Sequence, residues 1–164
     1  MNTSDLNQLS EQIIKDAVFG LIFLAIIIVI NSVSFIKIFI WFMGSCTKVV
    51  NPRSFEITLL FVASVLLMSL VHMVSILIWT IALYLSGLID NLRLAMLFAG
   101  SSYTTLGIFS DVLPTGWKSV AFYIAFSGLF SFAIATSSMI SMITIITKRL
   151  YKPILRASVV SPKS

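Results

Sequence analysis

The chain has 164 residues, 59% of them hydrophobic and only 10% charged, with a mean hydropathy of +1.06 and a formal net charge of +5. Soluble domains carry about 25% charged residues, so this composition excludes a water-soluble globular domain and marks an integral membrane protein of one domain with short tails. The single cysteine, Cys46, excludes an intramolecular disulfide and any multi-cysteine metal site, while one histidine and six carboxylates leave little for catalysis.

The first sixteen residues are polar and net acidic, with Asp5, Glu11 and Asp16 against Lys15. They lack the basic opening of a secretory signal peptide and are expected to form an N-terminal tail or interfacial helix over 1–16. Residues 17–36 carry no Lys, Arg, Asp or Glu. About 20 apolar residues cross the hydrocarbon core of a bilayer, so a first transmembrane helix is expected over 17–43. Lys37, Lys48 and Arg53 flank the connection that follows.

Residues 57–89 form a second uncharged stretch, long enough to tilt or to project beyond the lipid. His72 lies within it, where ionisable groups are functional candidates by default. The expected state is a neutral imidazole bonded to a neighbouring helix, with Ser75 one turn on or Asn31 in the first helix as partner. The third uncharged stretch, 94–110, has seventeen residues and turns polar at Gly100-Ser101-Ser102-Tyr103-Thr104-Thr105-Leu106-Gly107. It is too short and too polar to span. Irregular backbone at membrane depth is tolerated only where protein buries it or where it lines a water-filled cavity. The expected order is therefore helix, helix, re-entrant loop, helix, with Asp90 capping the short helix of the loop.

The last uncharged stretch, 119–147, is rich in small and hydroxyl residues, which let transmembrane helices approach closely and bond across their contact. Helical spacing offers two polar stripes, Ser127, Ser131, Ser138 and Ser141, or Ala133, Ser137, Ser141 and Thr144. Lys148, Arg149, Lys152, Arg156 and Lys163 follow, in a basic tail over 148–164. With three spans, the first connection and this tail share one side, expected to be cytoplasmic, and the N-terminus lies outside. Five charges beside a membrane attract anionic lipid, and no nucleic-acid partner is expected.

Residues His72, Trp79 and Tyr84, then Ala95, Phe98 and Ser101, lead into Thr104-Thr105-Leu106-Gly107. Asp111-Val112-Leu113-Pro114, Trp117-Lys118, Gly128, Phe132 and Thr136 follow. Over positions 72–136, without gaps, this pattern resembles the pore domain of small prokaryotic ion channels of the potassium-channel superfamily. The resemblance implies an all-α membrane protein with three transmembrane helices plus a re-entrant pore helix and filter loop. Its pore domain would cover 57–147: outer helix 57–88, pore helix 92–104, filter 105–111 and inner helix 118–147. The helix over 17–43 is an extra span ahead of that unit. The resemblance further implies a homotetramer in a lipid bilayer, the prokaryotic plasma membrane, with one pore on its axis. The ion pathway would be lined by Thr104, Thr105, Leu106, Gly107, Ile108, Phe109, Ser110 and Asp111. Its permeant species would be a monovalent cation, potassium or sodium, held at Thr105, Leu106 and Gly107, with no other cofactor. Gly128 resembles the inner-helix hinge glycine of these channels, tight packing being its other reading. Ser137 and Ser141 are the candidates for facing an aqueous cavity.

Electrostatics points to cations as well. The C-terminal end of the short helix carries about −0.5 elementary charge, and four such ends around one axis favour a cation. The loop has no Lys or Arg between Leu94 and Trp117, nor has the last helix before Lys148, where an anion pore would want them.

The loop departs from the family after Gly107. The family's filter runs Thr-Val/Leu-Gly-Tyr-Gly-Asp, and its carbonyl oxygens replace the hydration shell of potassium. Here Ile108 stands for Tyr, Phe109 for the second Gly and Ser110 for Asp. A non-glycine residue forced into left-handed backbone at Phe109 would cost about 1–2 kcal/mol. Two functions are consistent with this pattern. One is a cation channel with weak or no selectivity among monovalent cations. The other is a non-conducting structural or accessory subunit of the same fold. An intramembrane enzyme would need paired carboxylates or a nucleophile with a base, and His72 has no carboxylate at helical spacing. No Arg-rich voltage sensor is present, which leaves gating to the filter, to lipid or to an unknown partner.

Overall fold

The computed structural model describes residues 3–48, 54–109, 111–114 and 116–160; Arg53, Ser110 and Lys163 lie outside them. The described residues form four helices and no strand: α1 (Thr3–Lys48), α2 (Ser54–Leu85), α3 (Leu92–Tyr103) and α4 (Val120–Val160). Three of these are long and apolar enough to cross a membrane, over Ile13–Lys48, Phe55–Leu85 and Val120–Arg149. The chain is an integral membrane protein. α3, with 12 residues, reaches only about 18 Å.

Two of the helices run well past the limits expected of them. α1 runs unbroken from Thr3 to Lys48, so the segment before residue 17 is helical and continuous with the first span. α4 runs on past Lys148 to Val160, so most of the basic tail prolongs the last helix. A charge limits where a helix can meet lipid but does not interrupt its backbone hydrogen-bond ladder. No proline occurs before Pro52 to break α1.

Contacts fix the helix directions. Asp16 accepts a hydrogen bond from the Ser119 hydroxyl, Asn31 Nδ2 donates to Ser131 Oγ at 2.6 Å, and Arg149 donates to the Cys46 carbonyl. These pairs advance together, so α1 and α4 run parallel. Phe23 meets Trp79 at 5.7 Å and Phe35 meets His72 at 5.3 Å between ring centroids, so α2 runs antiparallel to α1. Gly20 lies so close to the Tyr123 ring that a Cβ would overlap it.

Two apolar clusters fill the bundle. One, around Ile27, Trp79, Leu83, Phe98, Tyr103 and Ile124, occupies the half where α2 ends and α4 begins. The other, around Phe35, Phe42, Met68 and Met142, fills the opposite half. Lipid tails are as apolar as leucine, so close packing and interhelical hydrogen bonds hold such helices together. Several buried polar residues, Asn31, His72, Ser75 and Ser131, lie among these helices.

α2 ends in a Schellman motif. Gly87 sits in left-handed backbone at φ +68°, its amide bonds to the Tyr84 carbonyl, and the Leu88 amide bonds to the Leu83 carbonyl. α3 then starts at Asn91, whose Oδ1 accepts from the amides of Arg93 at 3.0 Å and Leu94 at 3.2 Å. Asn91 rather than Asp90 is the cap, because it holds the extended backbone from which a short side chain reaches the second and third helical amides.

Candidate functional site

The candidate site begins at the C-terminal end of α3 and repeats the geometry that ends α2. The Thr105 amide bonds to the Ser102 carbonyl at 2.9 Å and the Leu106 amide to the Ser101 carbonyl at 2.8 Å. This is a second Schellman motif, with Thr105 at the left-handed position, φ +61°. Gly87 occupies that position in the first motif without a Cβ penalty. A β-branched residue there is a genuine outlier, at a cost of about 1–2 kcal/mol. Gly107, at φ +65°, adopts the same region at ease.

The strain expected at Phe109 is thus found at Thr105. Among the described residues Thr105 is the only non-glycine with positive φ. The chain turns through left-handed backbone at Thr105 and Gly107, which leaves Phe109 in ordinary backbone. Its ring is partly buried against the cluster around Trp79 and Tyr103. Leu106 and Ile108 are the residues that project, each 68% exposed.

The threonine hydroxyls turn to their own backbone. Thr104 Oγ1 donates to the Gly100 carbonyl at 2.8 Å, and Thr105 Oγ1 to the Thr104 carbonyl at 2.6 Å. With the amides of Thr104 to Gly107, these bonds take up the carbonyls of Gly100, Ser101 and Ser102. Among the described residues, none donates to the carbonyls of Thr105, Leu106 and Gly107. Beyond them, Asp111 is 92% exposed and lies 3.3 Å from Lys118 Nζ, an exposed pair that ties down the loop weakly. Leu113 is buried, and Trp117 meets Phe19 edge-on at 5.9 Å.

Tyr103 sets the depth of this loop. It is buried, and its hydroxyl pairs with His72 Nδ1 at 2.9 Å. His72 lies thirteen residues before the end of α2, about 20 Å along the helix. His72 also stacks on Phe132 of α4 at 4.3 Å between ring centroids. Neither expected partner bonds to this histidine. Ser75 Oγ donates instead to Asn31 Oδ1 at 2.8 Å, and Asn31 donates on to Ser131. Asn31 thereby uses both ends of its amide, and the longer reach from α2 to α3 falls to the imidazole. One turn up, Trp79 Nε1 donates to Ser127 Oγ at 2.9 Å. Buried polar side chains of all four helices are thus paired around the end of α3.

Tyr103 is the member sequence reasoning passed over; Asn31 was named, but as a partner of His72 and not of Ser75 and Ser131. The available signal was scarcity: few side chains in the spans can hydrogen-bond, so each must find a partner on another helix or its own backbone.

Gly128 lies where α4 crosses the end of α3. A Cβ there would overlap the Tyr103 carbonyl oxygen and stand 3.0 Å from its carbon, so in this structure its role is close approach. Of the two stripes on α4, Ser127 and Ser131 are buried in the bundle, while Ala133, Ser137, Ser141 and Thr144 lie on an exposed face. The Ser141 hydroxyl donates to the Ser137 carbonyl at 3.0 Å. Among the described residues no group of three metal-ligating side chains gathers. No family model matches this chain, nor does any curated protein or solved structure.

Proposed function

We propose that the chain assembles as a homotetramer in the plasma membrane of a prokaryote and conducts monovalent cations, potassium or sodium, with weak selectivity. The carbonyls of Thr105, Leu106 and Gly107, to which none of the described residues donates, carry this reading. They follow a short helix whose end is held about 20 Å along α2 from the end of that span. Backbone acceptors at such depth face water, protein or an ion, never lipid. Four copies of α3 aimed at one axis would add their negative ends to these carbonyls and favour a cation there.

α3 and the segment to Ser119 then form a re-entrant hairpin. α2 is the outer helix, and α4 is the inner helix with its exposed Ser137 and Ser141 towards the cavity. The basic end of the bundle, with Lys48, Lys148 and Arg149, faces the cytoplasm. Asp111, exposed at the opposite end, would raise the local cation concentration.

Weak selectivity follows from the outer half of the loop. Ile108 has no hydroxyl with which to brace the backbone from behind, and Phe109 packs into its own subunit. Purified tetramers reconstituted in proteoliposomes should pass both potassium and sodium. A potassium-to-sodium permeability ratio as high as that of ordinary potassium channels would sink this reading. Restoring Tyr and Gly in the double variant Ile108→Tyr, Phe109→Gly should shift the ratio towards potassium.

One observation favours a second reading. The hydroxyls of Thr104 and Thr105 are engaged by their own backbone, and the exposed side chains are the apolar Leu106 and Ile108. A ring of these side chains would close a pore by dewetting and leave a non-conducting structural subunit. Intact tetramers without flux, in which Ile108→Ser also fails to conduct, would favour it.

A further inference from the structure

We infer that the groove between α1 and α2 is a binding site for an anionic phospholipid. Lys37 takes the headgroup phosphate, and an acyl chain lies along the helix seam. The groove has a volume of about 390 Å³ and is walled by Ile30, Ile38, Leu67, Leu70 and Val74, with Lys37 towards the end nearer Lys48. Ser34, its other polar residue, donates its hydroxyl to the Ile30 carbonyl at 2.7 Å. The walls therefore present hydrocarbon, and among the described residues none pairs with the Lys37 ammonium.

Lys37 is exposed and stands inside the span Ile13–Lys48, between Ile36 and Ile38. Eleven residues, about 16 Å of helix, separate it from Lys48. No carboxylate of the packed helices reaches it. α1 has none after Asp16, α4 has none, and α2 has only Glu56 near its start. The pairing of Phe35 with His72 sets Lys37 near Leu70, fourteen residues from Glu56 and about 21 Å along the helix.

Cations within a membrane span are costly unless they pair or reach the interface along their own stems. A phosphodiester at the near headgroup layer supplies the missing counter-charge, and its acyl chain supplies the apolar filler the groove lacks. The zwitterionic alternative offers the same chain with no net charge. The groove uses α1 and α2, whereas the candidate ion pathway uses the α3 loop and the exposed face of α4. The inference holds whether or not the assembly conducts.

Native mass spectrometry of the full-length protein in detergent, supplied with phosphatidylglycerol or phosphatidylcholine of identical chains, tests it. Retention of phosphatidylglycerol should exceed that of phosphatidylcholine roughly fivefold. Lys37→Gln should remove the preference, Lys37→Arg should keep it, and Leu70→Trp, which fills the groove, should lower retention of both lipids. Millimolar inorganic phosphate should not displace the bound lipid. Equal retention of the two lipids, a preference that survives Lys37→Gln, or displacement by inorganic phosphate overturns the inference.

Discussion

The imidazole of His72 and the phenol of Tyr103 meet at 2.9 Å, joining α2 to the last residue of α3. Both side chains are buried, so Tyr103→Phe takes from the buried imidazole its hydroxyl partner. Tyr103→Phe should destabilise the protein by about 1–3 kcal/mol, the cost of stranding a buried polar group. Adding His72→Phe to that variant should cost less than the two single changes summed. Unfolding of the detergent-solubilised variants measures this; strict additivity would mean that the bond contributes nothing.

Gly128 and Gly44 make a controlled pair. A Cβ on Gly128 overlaps the Tyr103 backbone, whereas one on Gly44 meets nothing within 4 Å. Gly128→Ala must push α3 and α4 apart and should destabilise by about 1–3 kcal/mol. Gly44→Ala should be neutral or stabilising by about 0.5–1 kcal/mol, since alanine is the better helix former. Thermal unfolding of the two variants under the same conditions should show a lowered midpoint for Gly128→Ala and no lowering for Gly44→Ala.

Thr105→Gly should stabilise the loop by relieving a left-handed residue, by about 1–2 kcal/mol before the larger entropy of the unfolded glycine is subtracted. Phe109→Gly removes a ring packed on the Trp79 cluster and should destabilise. If the family's filter geometry applied at Phe109, the order of the two effects would be reversed. Ranking both variants by unfolding midpoint decides between the geometries.

Asn31→Leu should cost about 1–2 kcal/mol, because Ser75 and Ser131 each lose an interhelical partner. Ser34→Ala, on the same helix, removes only a bond to its own backbone and should leave stability unchanged. A loss on both variants of similar size would assign the effect to helix propensity and not to the interhelical bonds.

The spans were legible because hydropathy over twenty residues is a strong and redundant signal, and Leu92–Tyr103 was legible because a polar turn interrupts it. The ends of α1 and α4 were not, since Asp16 and Lys148 mark changes of surroundings that leave the helix intact. Asn91 and Asp90 are both competent caps, and only the backbone direction into α3 selects between them. The strain moved from Phe109 to Thr105 because a Schellman motif is set by where the preceding helix stops, which one residue of helix length decides. His72 was recognised as bonded, yet its partner lies 31 residues away in sequence, beyond any helical spacing.

The parallel contact of α1 with α4 bears on how the protein is made. Asn31 and Ser131 are separated by 100 positions, and Asp16 and Ser119 by 103. During synthesis α1 enters the membrane long before its main partner exists. Until α4 follows, the Nδ2 end of the Asn31 amide and the flat surface at Gly20 lack their partners on α4. A ribosome stalled before residue 120 would hold α1, α2 and α3 without the helix that packs on all three. Such a chain leaves the Asn31 Nδ2 without the Ser131 hydroxyl, and completion of the last span is the step that supplies it.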